Sequence, residues 1–308
     1  MRISTATAFD STVANLQRRQ EALSEAQVQL TSGKRVLRPS DDPAAAAEVE
    51  RALAAATRTE GQQRALNSAR TSMALSESAL GEAGNIMQKA RELMVSGGNG
   101  SYTDAERKTV ADNLRGLRND LLAVANRSDG NGRYLFGGQG SDGKPMLDLP
   151  GGVAYNGTSG STQAATGEAM PLSLDGRAVW LQAPDPANPG ATISVFDALD
   201  KVIQELGTPG RTAQQVAATV SGGLAGADAS MANLSSWRSA AGEALNRADS
   251  IGDRLSQAKV DAQSQRSDAE DLDMVAAISD VQAKQTGYSA ALKTYSMVQR
   301  MSLFDFIK

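Results

Sequence analysis

The chain has 308 residues, with 31 lysines and arginines against 35 aspartates and glutamates, a formal net charge of -4, and neither cysteine nor histidine. That composition excludes disulfides, thiolate chemistry, imidazole bases and the common zinc ligand sets, and it offers no basic surface for nucleic acid. Aromatic residues make up only 4%, so the expected cores are thin seams between long helices rather than globular centres.

The first ten residues lack the apolar run of a secretory signal, and no stretch of eighteen apolar residues is present to span a bilayer. By those rules alone the protein reads as cytosolic, without membrane insertion. Phe9, Leu16, Leu23 and Leu30 recur at a seven-residue spacing with Val13 beside them, which predicts a first helix with a coiled-coil stripe. A break and restart follow. Gly33 suits the position after a helix end, Asp42 an N-cap, and Pro43 the first turn of the next helix. With Lys34 and Arg35 these residues form a predicted interdomain joint.

Leu66, Met73, Leu80, Met87 and Met94 continue a heptad along a very long second helix, with Ala69, Ala83 and Ala90 three residues after three of them. A helix-helix seam explains this methionine stripe better than a ligand site. Thr103-Asp-Ala-Glu106 has capping-box spacing and opens a shorter helix carrying Val110, Leu114, Leu117, Leu121 and Val124 on one face. The short link predicts antiparallel neighbours.

From residue 128 to about 192 glycine and proline become frequent. Arg133–Phe136, Val153–Tyr155 and Ala178–Leu181 are expected strands of a small β-rich domain. Helical spacing returns over Val195–Leu206, and a capping box at Thr212-Ala-Gln-Gln215 opens the last long tract. Leu234, Leu245, Ile251 and Leu255 mark its buried side, and Gly222, Gly223 and Gly226 are expected to kink or interrupt it. Ser267-Asp-Ala-Glu270 is read as the start of a terminal helix with the stripe Ile278, Val281, Tyr288, Leu292 and Tyr295, ending at Leu303 and Phe304.

Each terminal stripe needs a partner, and an antiparallel pair would set Phe9 near Met301, Leu16 near Leu292, Leu23 near Gln285 and Leu30 near Ile278. The same register sets Lys34, Arg35 and Arg38 beside Asp268, Glu270, Asp271 and Asp273. The expected fold class is mainly α, with long coiled-coil-like helices from both termini forming an elongated bundle and one small inserted β-rich domain. The expected domains are residues 1–40 with 268–308 (terminal antiparallel coiled coil), 41–130 with 193–267 (helical bundle), and 131–192 (outer β-rich domain). The stripe residues of the two terminal helices are the candidate subunit-assembly seam.

Chemistry-bearing motifs are weak. Gly138-Gln-Gly-Ser-Asp-Gly143-Lys144 matches the first seven positions of a P-loop, but Pro145 stands where a Ser or Thr must hold Mg²⁺, so the segment is read as a surface turn. Asp41 and Asp42 are explained by helix capping rather than hydrolysis. No convergent acid, base, nucleophile or metal set is present, so neither an enzyme nor a cofactor is expected.

Leu30-Thr-Ser-Gly-Lys-Arg35 followed by Ser40-Asp-Asp-Pro-Ala44 resembles the N-terminal signature of the flagellin superfamily, and Ser302-Leu-Phe-Asp-Phe-Ile307 resembles its C-terminal end. Arg38-Pro-Ser-Asp-Asp-Pro43, Tyr134-Leu-Phe-Gly-Gly138 and Val195-Phe-Asp-Ala-Leu-Asp-Lys-Val-Ile203 are similar to its hook-filament junction branch rather than to filament flagellins. The resemblance implies a structural subunit of the bacterial flagellum, extracellular and exported through the flagellar type III pathway without a cleaved signal, which reverses the cytosolic reading. It further implies as partners copies of the chain in a ring, the first junction protein, flagellin, and a cytosolic export chaperone on the C-terminal helix. The alternatives are a filament flagellin and, from a different class, a cytosolic coiled-coil scaffold.

Overall fold

The computed structural model describes the backbone of residues 2–141 and 143–304, and the side chains of residues 10–141 and 143–297. Among these residues the chain is mainly α-helical. Helices α1 (Arg2–Ser32), α2 (Pro43–Gly97) and α3 (Asp104–Ala125) precede a region of short strands, β1 (Met146–Leu149) and β2 (Gly152–Tyr155), then helix α4 (Gly176–Trp180) and strands β3 (Ala183–Pro184) and β4 (Thr192–Ile193). Helices α5 (Val195–Leu206), α6 (Ala213–Glu270) and α7 (Met274–Phe304) complete it. The chain forms two compact units, one made of residues up to Thr59 and from Gln257 on, the other of Glu60–Ser256.

A seven-residue repeat of buried side chains runs along both long helices. On α2 it comprises Ala45, Ala52, Thr59, Leu66, Met73, Leu80, Met87 and Met94, and on α6 Ala227, Leu234, Ala241, Ala248, Leu255, Ala262 and Ala269. Such a repeat keeps one stripe facing a partner helix. Within Glu60–Ser256 the partners are each other, running antiparallel: Arg70 pairs with Asp249, Glu77 with Arg238, and Arg91 with Asp228, at 3.0, 2.7 and 2.9 Å.

Helix α5 lies over the glycines of α6, which do not interrupt that helix as expected from their helix-weakening tendency. A Cβ at Gly223 would stand 2.3 Å from Val202 Cγ2, and one at Gly226 would stand 3.2 Å from Ala198 Cβ. These two glycines are where α5 makes its close approach.

The core of this unit is not a thin seam. Trp180 is fully buried, with Phe136 edge-on at 5.2 Å and Phe196 stacked at 6.3 Å. Composition misleads here because three of the few large aromatics are gathered in one place. Burial of each is worth about 1.5–3 kcal/mol, and an edge-on ring pair adds about 0.5–1.5 kcal/mol.

Three local expectations are corrected. Val153–Tyr155 falls in β2, antiparallel to β1 with Met146 opposite Tyr155, but Ala178–Leu181 is not a strand. Asp175 caps it as helix α4, accepting from the amides of Arg177 and Ala178. Arg133–Phe136 makes only a single bridge, Tyr134 to Ser128, because Gly130, Gly132 and Gly138 turn the backbone through positive φ on either side. In the segment read as a surface turn Gln139, Gly140 and Lys144 are exposed, but Gly138 is buried: its carbonyl accepts from the hydroxyls of Thr162 and Ser173, and a Cβ there would meet Thr158 O at 1.9 Å.

The capping box read at Ser267 does not start a helix. Helix α6 continues through it to Glu270, and α7 begins on Asp273, whose Oδ1 accepts from Val275 N at 3.0 Å and Ala276 N at 3.1 Å. Glu270 is engaged by Lys34, and the Ser267 hydroxyl donates to Asp271. The remaining boxes stand as read: Thr103 with Glu106, and Thr212 with Gln215. Between β3 and β4 the chain closes a tight turn, in which Asp185 N donates to Ala191 O at 3.0 Å and Asn188 Nδ2 to Asp185 Oδ2 at 2.7 Å.

Candidate assembly interface

Helices α1 and α7 pack together and run antiparallel. At one end Lys34 bridges to Asp271 in antiparallel fashion, and fifteen residues earlier the Arg19 guanidinium occupies the space that a Gly287 side chain would fill, 2.9 Å from its Cβ position.

The seam is only half closed. Val13, Leu16, Leu23, Leu30, Val281, Tyr288 and Tyr295 are half-buried, while Ile278 and Leu292 remain 46% and 42% exposed. Among the described residues of α1, Ala26 is buried. Phe9, Leu303 and Phe304, and with them the expected Phe9 to Met301 contact, lie outside the residues whose side chains are described. Val28, Met274, Val275 and Met297 add to the uncovered apolar surface, Val275 at 79%. Together these side chains leave part of the apolar surface of α1 and α7 open to solvent.

Where α1 ends, two backbone segments are clasped. Gly33 takes φ +70° and its carbonyl accepts from Leu272 N at 3.0 Å, Arg35 N donates to Glu270 O at 2.7 Å, and Arg35 Nη2 donates to Ala269 O at 2.8 Å. Lys34 Nζ pairs with Glu270, and Arg35 Nη1 with Asp42 Oδ2 at 3.0 Å. Asp42 caps α2, accepting from Ala44 N at 3.1 Å and Ala45 N at 3.0 Å, with Pro43 in its first turn. Asp41 is not a cap; its carboxylate accepts from Leu37 N at 3.1 Å and Arg38 N at 2.8 Å and shapes the turn before the helix. Both carboxyls are held below the usual range, Asp41 chiefly by the Arg38 amide and Asp42 chiefly by the Ala45 amide and then Arg35.

A second polar centre, absent from the sequence reading, joins the strands to the helices of the other unit. Arg118 of α3 has a side chain only 8% exposed. It pairs with Asp148 of β1 and with Asp200 of α5, the latter at 3.0 and 3.1 Å, and lies 5.8 Å from the Phe196 ring centre. Hydrogen bonds that it donates to both acids hold its proton more tightly than usual, Asp148 contributing most. Beside it Asn126 clamps Met146, donating from Nδ2 to its carbonyl at 2.9 Å and accepting its amide at 2.8 Å. Tyr155 is pushed up to about 12 by burial and by the Asp175 charge. These contacts fix a scaffold. Among the described residues no cluster of potential metal ligands is found.

The chain pairs its first helix with its last and carries a second unit between them in sequence, and comparison with known proteins gives this class of protein its family. The bacterial flagellin N-terminal helical region matches residues 3–141 and the C-terminal helical region matches residues 224–307. The chain belongs to the flagellin family.

Within that family its full length is similar to flagellar hook-associated protein 3. It is 29% identical to that protein of Salmonella typhimurium over 99% of both chains, and 28% identical to that of Escherichia coli over the whole of both. The flagellin of Listeria monocytogenes is 26% identical over 86% of this chain and 84% of its own. Among solved structures, a flagellar hook-associated protein from Vibrio parahaemolyticus superposes with a TM-score of 0.66 at 22% identity, covering 75% of this chain and all of the other. Hook-associated protein 3 from Legionella pneumophila superposes at 0.63 and 19% identity, covering 70% and 97%. These two likenesses concern the fold.

Proposed function

We propose that this chain is a structural subunit of the bacterial flagellum that joins the hook, through the first junction protein, to the flagellin filament. The observation that carries the reading is the half-closed α1 and α7 pair. Its seam residues hold two helices together, while Val275, Ile278, Leu292 and Met297 stay bare for neighbouring subunits to cover. Similarity to hook-associated protein 3 over the full length supports the junction role over the filament role.

In this reading the terminal helices (1–40 with 268–308) carry assembly, the helical bundle (41–130 with 193–267) supports them, and residues 131–192 distinguish this subunit from flagellin. Gly33, Lys34, Arg35, Asp42 and Pro43 act as the joint between the first two. The partners are further copies in a ring, the first junction protein and flagellin. A cytosolic chaperone covers the C-terminal helix before export, which proceeds without a cleaved signal to the extracellular flagellum. The role is structural, not catalytic.

A filament flagellin is the second reading, favoured by the similarity to the Listeria protein. Electron microscopy of cells lacking the gene separates the two. Intact hooks with flagellin shed into the medium support the junction role. Long filaments on those cells overturn it.

A further inference from the structure

Three Asn-Gly pairs occur in the chain, at Asn99-Gly100, Asn131-Gly132 and Asn156-Gly157. In each, glycine offers an unhindered amide nitrogen next to a carboxamide carbon, and its free φ lets the two approach. Sequence makes the three pairs alike, but their surroundings separate them.

Asn131 stands at the top of an arch whose feet are pinned. Asp129 N donates to Arg133 O at 2.8 Å, and the Asp129 carboxylate accepts from Asn131 N at 2.8 Å and from Arg133 N and Nε at 3.1 Å each. Above those bonds Asn131 and Gly132 are exposed, and Gly132 takes φ +85° with nothing within 4 Å of its Cβ position. Among the described residues neither the Gly132 amide nor the Asn131 carboxamide has a hydrogen-bond partner.

The other two pairs are held. Asn99 Oδ1 accepts from Ser101 N at 3.1 Å and Ser101 Oγ at 2.9 Å, which fixes its carboxamide. Gly157 is wedged: a Cβ there would stand 2.5 Å from the Tyr155 hydroxyl and 2.9 Å from Gly137 O. On either side of it Asn156 N bonds to Pro145 O at 2.8 Å and Thr158 N to Gly140 O at 2.9 Å.

We propose that Asn131 is a self-modification site, deamidated through attack by the backbone nitrogen of Gly132. The Gly132 amide gives its proton to solvent and bonds to Asn131 Cγ; the Cγ–Nδ2 bond breaks, ammonia leaves, and a succinimide ring closes. Water then opens the ring. Cleavage between the ring nitrogen and Cγ leaves aspartate, whereas cleavage between that nitrogen and the main-chain carbonyl carbon leaves isoaspartate. Either product adds a negative charge close to Asp129, and isoaspartate also lengthens the pinned arch by a carbon. Both changes fall on Arg133, which besides Asp129 reaches Ser68 Oγ of α2 at 3.3 Å.

The test ages purified full-length protein in mildly alkaline heavy-oxygen water, with circular dichroism to verify the native fold. Peptide mass spectrometry reads conversion at each of the three asparagines, and protein isoaspartate methyltransferase labels the isoaspartate product. In the folded chain Asn131 is expected to convert about tenfold faster than Asn99 or Asn156. In urea the three rates are expected to converge, because only their shared sequence remains. Asn131→Ser is expected to lose the heavy-oxygen label from that peptide. No conversion at Asn131, equal rates in the folded chain, or a lead by Asn99 or Asn156 overturns the proposal. A rate order that survives unfolding overturns it too, since the preference then belongs to local sequence instead of the arch, as does label that persists in the Asn131→Ser peptide.

Discussion

Arg118 donates both terminal guanidinium nitrogens to Asp148, at 2.5 and 2.6 Å, from a side chain buried against the Phe196 ring. A two-pronged pair of this kind fixes orientation as well as distance. It sets the β1 hairpin at a defined angle on α3, while Asp200 ties the same guanidinium to α5.

Removing Asp148 leaves the buried arginine with one carboxylate instead of two. Asp148→Ala is expected to destabilise the protein by about 2 kcal/mol in urea unfolding followed by Trp180 emission. The pH dependence has a fixed sign. Arg118 holds the Asp148 carboxyl below its usual range, so its contribution is fully present above the unfolded-state value of about 3.9 and is lost as pH falls through the lower folded value. Asp148→Asn should flatten that acid limb. An unchanged limb would remove Asp148 from the account.

The α5 and α6 contact makes a contrast between adjacent glycines. Gly223→Ala places a methyl 2.3 Å from Val202 Cγ2 and is expected to cost about 1–3 kcal/mol through forced separation of the two helices. Gly222 is exposed with nothing within 4 Å of its Cβ position, so Gly222→Ala should stabilise by up to about 1 kcal/mol through helix propensity. Paired denaturant curves check both, and equal effects would contradict the packing.

Helix α7 starts on Asp273, not on Ser267. Asp273→Ala is expected to weaken its first turn by about 1 kcal/mol, read in assembled protein as faster amide exchange at residues 275–277. Ser267→Ala should leave those amides unchanged.

The half-closed terminal pair predicts a concentration-dependent order. A helix near break-even in water depends on packing for its persistence. In monomer, amides before about Arg35 and after about Leu272 should exchange without protection, whereas those of Leu80, Met87 and Trp180 should be strongly protected. Assembled protein should protect both sets. Strong protection of the termini in monomer would end the idea that neighbours complete them.

The helices were legible because their heptads are long: Leu66 to Met94 holds one spacing through five buried residues. The companion repeat on α6, from Ala227 to Ala269, is mostly alanine and gives little contrast against an alanine-rich background. The Arg118 centre had a visible signal, since position 118 falls four residues after Leu114 and three before Leu121, on the face that packs inward. A charged residue there announces a buried pair, although its partners on β1 and α5 lie too far along the chain to name from spacing. The β-rich segment was less readable because its strands are only two to four residues long. Over Ala178–Leu181, the β-favouring Val-Trp-Leu run is outweighed by the Asp175 cap. At Ser267 a capping-box spelling occurs inside a helix whose glutamate is already taken by Lys34.

The turn between β3 and β4 brings Asp185 and Ala191 together by a backbone hydrogen bond of 3.0 Å and leaves residues 186–190 exposed. A foreign peptide spliced between Asn188 and Pro189 would therefore start and finish at nearly the same point, imposing little strain on its host. An epitope tag or a single cysteine for dye attachment belongs at that position, where the fluorophore would be the sole thiol adduct in an otherwise cysteine-free chain.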